Sequence, residues 1–206
     1  MAEAALLPVP YPETAVIELD SLEEQNTALA AALPERPLVL GGCCCSHVGA
    51  VQGLAQRRSR LGIVWFDAHG DLNTPETSPS GNLWGMPLRM VIDANAVCAA
   101  DVALVGARNL DPGEDAFIAE TGINDSLDRA IEGVDAVYVA LDVDVLDPAE
   151  MAVFMPEPNG PSVKEVEATL RRIAGRVEIA GMGVTGLAPD IANVAVVTSL
   201  LASAGL

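Results

Sequence analysis

The chain has 206 residues, half of them hydrophobic, which suits one domain with a substantial core. Its formal net charge of −18 repels phosphate and argues against a nucleic-acid partner, although such a surface most often serves solubility alone. The first residues lack a basic run followed by an apolar one, and no apolar stretch is long enough to span a bilayer, so neither a signal peptide nor membrane attachment is expected.

Aromatic residues make up only 3% of the chain, so the core must be built from Ala, Val, Leu and Ile, as in buried parallel sheets. In chain order, Ser21 with Glu24 has the capping-box pattern ahead of a helix that stops before Pro34. A first strand is expected at Pro37–Leu40. Three adjacent cysteines follow, Cys43, Cys44 and Cys45, with Cys98 far away. Neighbouring residues rarely reach disulfide geometry, so a reducing, cytoplasmic compartment is expected. Further strands are expected at Gly62–Phe66, Val102–Val105, Ala136–Leu141 and Glu178–Val184. Each is short and apolar on both faces, as buried parallel strands are, though periodicity alone leaves a buried helix open.

Asp111-Pro112-Gly113-Glu114-Asp115 reads as a helix entry, and Asp125 as the cap of a helix through Ile131. Ser162 with Glu165 repeats the capping box ahead of a helix to about Gly175. Residues from Asp190 onward read as an apolar helix that packs within the subunit or between subunits. Alternating strands and helices argue for a three-layer α/β/α sandwich with a mostly parallel central sheet.

In such sheets ligands bind beyond the carboxyl ends of the strands. Asp67-Ala68-His69-Gly70-Asp71 follows one predicted strand directly, and Asp142-Val143-Asp144-Val145-Leu146-Asp147-Pro148 follows another. In an extended chain Asp67, His69 and Asp71 point to one side, as do Asp142 and Asp144. One D-x-D is as well explained by a solvated turn or a cap. Two of them behind buried strands point to a cation, because converging carboxylates repel one another without it. Oxygen ligands with one imidazole suit Mn²⁺, with Zn²⁺ or Fe²⁺ less exclusively. Water bound to such a cation is acidified toward hydroxide near neutral pH.

These two segments, with Asn73-Thr74-Pro75 and Ser80-Gly81-Asn82-Leu83-Trp84-Gly85-Met86-Pro87 between them, resemble the ordered signatures of the ureohydrolase (arginase–agmatinase) family. The resemblance runs from about Pro37 to Leu206. It implies an arginase-like fold with a binuclear manganese centre and hydrolysis of guanidino or related C–N bonds in a small-molecule substrate. It makes Asp67 and Asp142 bridging ligands, places His69 and Asp144 on one metal and Asp71 on the other, and gives Asp71 and His69 catalytic parts. Asn73, Ser80 and Asn82 match positions that contact the polar tail of the substrate. Asp147-Pro148 is expected to shape its loop. Trimers or hexamers are the usual assemblies. Residues 1–206 are expected to form a single arginase-like domain that lacks the further N-terminal strand segment of other members.

Four departures stand out. Cys44 occupies the position of a histidine ligand; as a ligand it favours softer metals, and otherwise it is a small buried cysteine. Trp84 replaces a proton-shuttling histidine and is expected to wall an apolar pocket. Gly186 stands where a glutamate anchors the guanidinium, which puts arginine and agmatine in doubt. The chain is short, both at its start and between Gly122 and Asp135. A binding or regulatory protein that keeps part of the metal site is therefore the rival to an enzyme. A zinc or redox site on Cys43, Cys44, Cys45 and His47 is disfavoured, because zinc cysteines are normally spaced by intervening residues. Met155–Gly160 reads as a rigid turn, and Trp65 as core.

Overall fold

The computed structural model describes residues 6–206. Five parallel strands form one sheet in the order β1-β5-β4-β2-β3: β1 Leu38–Leu40, β2 Leu61–Phe66, β3 Val102–Val105, β4 Ala136–Asp142 and β5 Glu178–Thr185. The expected sandwich is present, because alternate residues of the central strands feed two separate cores. Val64, Phe66, Val137, Val139 and Leu141 face one core. Ile63, Trp65, Ala136, Tyr138 and Ala140 face the other. Both faces are covered, so these strands are apolar throughout rather than alternating with polar residues.

Among the described residues seven α-helices supply the outer layers: α1 Leu22–Ala32, α2 Ser46–Ala55, α3 Pro87–Asp93, α4 Pro112–Thr121, α5 Leu127–Ile131, α6 Val163–Ala174 and α7 Asn193–Ala204. Ser21 caps α1 by accepting from the amide of Glu24, as its sequence implies. Ser162 and Glu165 cap α6 reciprocally. One expectation is corrected: Ser126, not Asp125, caps α5, accepting from the amide of Arg129. The side chain of Asn124 accepts from the Ser126 amide, and this places the serine at the helix entry.

Helices α2 and α3 give little periodic signal. Most of α2 is buried and it carries Gly49 and Gly53, so it has no polar stripe. Gly49 lies so close to α1 that a Cβ there would overlap the Asn26 backbone. The C-terminal helix α7 buries Val197, Leu200, Leu201 and Ala204 against the first core. That stripe at helical spacing makes it core-facing within the chain. Among the described residues no helix is long and apolar enough to cross a membrane.

The strand order creates a crevice. The connection from β2 leads to β3 on one side, whereas that from β4 leads to β5 on the other. Loops leaving the carboxyl ends of β2 and β4 therefore diverge. This is the kind of switch point at which open parallel sheets bind ligands.

Candidate metal centre

A cavity of about 300 Å³ opens at that switch point. Asp67, His69 and Asp71 reach it from the loop after β2, and Asp142 and Asp144 from the end of β4. Cys44 enters from the turn before α2, and Gly186 from just beyond β5. All seven positions singled out by sequence thus line one cavity.

Their convergence is not produced by extended chain, as expected, but by two tight turns. After Asp67 the backbone bends, and the His69 amide donates to the Asp67 carboxylate at 2.7 Å. Asp71 then adopts a left-handed conformation, φ 52°, uncommon outside glycine and tolerated best by Asp and Asn. Glu114 fixes this loop: its carboxylate accepts from the amides of Leu72 and Asp111 at 3.0 and 2.9 Å. The Asp142–Asp144 segment is a 3-10 turn in which Asp142 accepts from the Asp144 amide at 3.0 Å. Asp144 accepts in turn from the Ala68 amide at 3.0 Å, which ties the two strand ends together. Arg108 donates to the carbonyls of Asp144, Val145, Glu157 and Pro158 and so joins the loops after β3 and β4 to the 157–158 segment.

Two groups of side chains are placed to hold a metal ion: Cys44 with Asp67 and Asp142, and Asp67 with His69 and Asp144. They share Asp67. In the second group the His69 Nδ1 lies 3.2 Å from Asp67 and 3.0 Å from Asp144. In the first, Cys44 Sγ lies 3.0 Å from Asp142 Oδ2 and 3.6 Å from Asp67 Oδ2. Asp71 is buried in the same cavity, and its Oδ2 has no hydrogen-bond partner.

The electrostatics are unfavourable for the protein alone. Burial pushes the Asp71 carboxyl well above the usual range, and Asp67 and Asp142 add repulsion. Burial, then the charges of Asp144 and Asp67, raise Asp142 to about 8. Asp67 is raised to about 6 by burial against the opposing bond from His69. Ion pairing with Asp144 and Asp67 holds His69 well above its ordinary value, at about 11. Among the described residues that line the cavity, it is the one basic side chain. An unpartnered buried oxygen and several facing carboxylates form a donor set suited to a small divalent cation.

The remaining predicted residues separate. Ser80, Asn82 and Trp84 line the cavity mouth, with Ser80 and Trp84 exposed. Asn73 also lines it, but both ends of its amide are taken: Nδ2 donates to Asp111 at 2.8 Å and Oδ1 accepts from Thr77 at 2.9 Å. Asp147 accepts from the Ala149 amide at 3.0 Å, a loop-shaping contact as expected.

Sequence reasoning missed several partners. Thr185 donates to Asp142 at 3.1 Å and stands 3.2 Å from Cys44 Sγ. Behind it, fully buried His47 joins Thr185 to Tyr138 through contacts of 3.3 and 3.0 Å. Burial alone pushes the pKa of His47 down to about 3, so it is neutral. Trp65 is core, yet its indole N–H donates to Asp67 at 3.2 Å. The 154–157 segment is more than a turn: Phe154 and Met155 line the mouth, and Glu157 lies 3.6 Å from His69 Nε2. Only the acidic residues flanking predicted strands carried a local signal.

A family model described as the Arginase family matches residues 4–205. The chain belongs to the arginase family. The arginase of Staphylococcus aureus is 36% identical over 162 residues, covering 64% of this chain and 54% of that protein. The arginase of Bacillus caldovelox is 34% identical over 192 residues, covering 76% of this chain and 64% of that protein. The crystal structure of Bacillus subtilis arginase superposes with a TM-score of 0.84 at 29% identity, covering 89% of this chain and 78% of that one. The chain thus spans between half and two thirds of the length of these arginase sequences.

At the edge of the cavity, Gly186 is set against a side chain. Its φ is +73°, and a Cβ there would overlap the Asp142 carboxylate. The carbonyl of Gly186 also accepts from the Phe154 amide at 2.7 Å. A glutamate at this place would require Asp142 to move.

Proposed function

We propose that the chain is a metal-dependent hydrolase of non-peptide C–N bonds, acting on a guanidino, ureido or formimino compound from one arginase-like domain. The observation that carries this reading is the buried Asp71 oxygen without a partner, set among Asp67, His69, Asp142 and Asp144 at the switch point. Asp67 would be shared by two cations, with His69 and Asp144 on one and Cys44 and Asp71 on the other; Asp142, expected from the resemblance to be shared as well, groups with Cys44 alone. Mn²⁺ is the cation proposed first, with Zn²⁺ or Fe²⁺ as replacements. When bound, such cations acidify water and polarise the carbon under attack.

The chain's own residues do the rest. Asp71 Oδ2, unencumbered by the protein, takes up the proton released at the nucleophile and returns it to the departing nitrogen. The acidic lining, with no Lys or Arg in it, favours a cationic head group over an anionic one. Ser80 and Asn82 offer polar contacts to the tail, and Trp84 with Phe154 walls the mouth. Asn73 serves the loop rather than the substrate. No carboxylate stands at Gly186 to grip a guanidinium, so arginine and agmatine are not the substrates proposed. A cytoplasmic homo-oligomer, trimeric or hexameric, is the proposed setting.

The lack of room for a side chain at Gly186 beside Asp142 also favours a second reading, a regulatory protein that keeps the fold and part of the metal site. A screen of guanidino, ureido and formimino compounds with protein loaded with Mn²⁺ alone and with Mn²⁺ and Zn²⁺ together separates the two. Turnover that Asp71→Asn lowers at least about a hundredfold, with metal retained, supports the enzyme. Metal binding with no turnover of any compound favours the regulatory protein.

A further inference from the structure

We infer that the two ligand groups are chemically unequal, and that the one containing Cys44 selects a thiophilic cation such as Zn²⁺ or Co²⁺ while the other takes Mn²⁺. This rests on the metal-centre reading above. The groups differ in one donor: Cys44 with Asp67 and Asp142 is a sulfur–oxygen set, whereas Asp67 with His69 and Asp144 is a nitrogen–oxygen set. Thiolates bind borderline and soft ions strongly and Mn²⁺ poorly, and Mn²⁺ already stands lowest in the divalent affinity order.

The geometry that lets the Cys44 thiol donate to Asp142 also suits a ligand. Sulfur at about 2.3 Å and oxygen at about 2.0 Å from one tetrahedral cation lie roughly 3.5 Å apart. Cys44 Sγ stands 3.0 Å from Asp142 Oδ2 and 3.6 Å from Asp67 Oδ2, to either side of that spacing. The sulfur is also held in place. Thr185 Oγ1 lies 3.2 Å from it and donates to the same Asp142 oxygen at 3.1 Å. His47 fixes Thr185 from behind, with Tyr138 on the far nitrogen. Reading the chain of donors from Tyr138 gives one consistent direction: Tyr138 O–H to His47 Nδ1, His47 Nε2–H to Thr185, Thr185 O–H to Asp142. Thr185 then has no proton to give the sulfur. Such outer contacts orient ligands and narrow the choice of metal. Cys43 and Cys45 belong to neither group.

Cobalt reads the sulfur directly, because a thiolate on Co²⁺ gives a near-ultraviolet charge-transfer band that oxygen and nitrogen ligands do not. The full chain is stripped with chelator and titrated with Co²⁺ under anaerobic conditions. The band is expected to saturate at about one equivalent. It should vanish in Cys44→Ser and persist in Cys43→Ser and Cys45→Ser. One equivalent of Zn²⁺ should bleach it, and a tenfold excess of Mn²⁺ should leave it. Cys44→His should raise the manganese content from about one ion per chain to about two. Cobalt bound without the band in the wild-type chain would overturn the inference and leave the metal centre standing. Bleaching by Mn²⁺ as readily as by Zn²⁺, or a band that follows Cys43 or Cys45, would overturn it too. A chain that binds neither cobalt nor manganese would remove the inference together with the reading beneath it.

Discussion

At the scale of single residues, the site is governed by burial without compensation. Asp67, Asp71, Asp142 and Asp144 are all buried, and one of their oxygens meets no partner at all. Gly186 shows how tightly the site is drawn around them. Gly186→Ala is expected to lower stability by about 1–3 kcal/mol, from the left-handed backbone and the overlap with Asp142, and to weaken metal binding. Denaturant melts and metal titration of the variant measure both. Unchanged values would mean that Asp142 has room to retreat. The acidic ligands were legible in the sequence because each follows an apolar run within a few residues. Thr185 and Tyr138 were not, and His47 drew notice only as part of a disfavoured cysteine site, because their partners lie 43, 91 and 138 positions away. Asn73 was legible as a site residue by resemblance, but its occupied amide becomes visible only once Asp111 and Thr77 are placed beside it.

At the scale of elements, what the sequence states locally it states well. Capping patterns at Ser21 and Ser162 and the five apolar runs all mark elements near their predicted places, because caps and buried strands are short-range features. Helix α2 escaped because it is buried nearly all round, and α3 because it has only seven residues. The cap of α5 is a finer case, in which Asp125 and Ser126 are both competent and an Asn124 contact decides. Ser126→Ala is expected to cost about 1 kcal/mol, and Asp125→Ala close to nothing. Equal losses in a urea melt would mean that the helix start is shared between the two residues.

At the scale of the whole molecule, the sheet order turns two remote acidic motifs into one centre, and the stability of the molecule should report it. In the metal-free chain the folded-state carboxyls of Asp67 and Asp142 are raised to about 6 and about 8 from an ordinary value of 3.8. Carboxyls raised in this way support folding fully below about pH 4, and that support is lost as the pH rises through 6 to 8. Chelated protein is therefore expected to melt at a lower temperature at pH 8 than at pH 5. Excess Mn²⁺ should reverse the trend, because the cation binds the ionised carboxylates. Each kcal/mol moves the midpoint by roughly 2–4 °C in a chain of this size, within reach of a calorimetric scan. Parallel pH profiles with and without metal would contradict this account of the site.

The most direct test of the metal centre is the content of divalent metal after incubation with Mn²⁺ and Zn²⁺ together, in the wild-type chain and in Asp67→Asn. Asp67 belongs to both ligand groups, so its loss should empty both. About two ions per chain in the wild type, and close to none in a variant that still melts cooperatively, is the expected result. A wild-type chain that binds no metal, or a variant that keeps both ions, would contradict the assignment of this cavity as a metal centre.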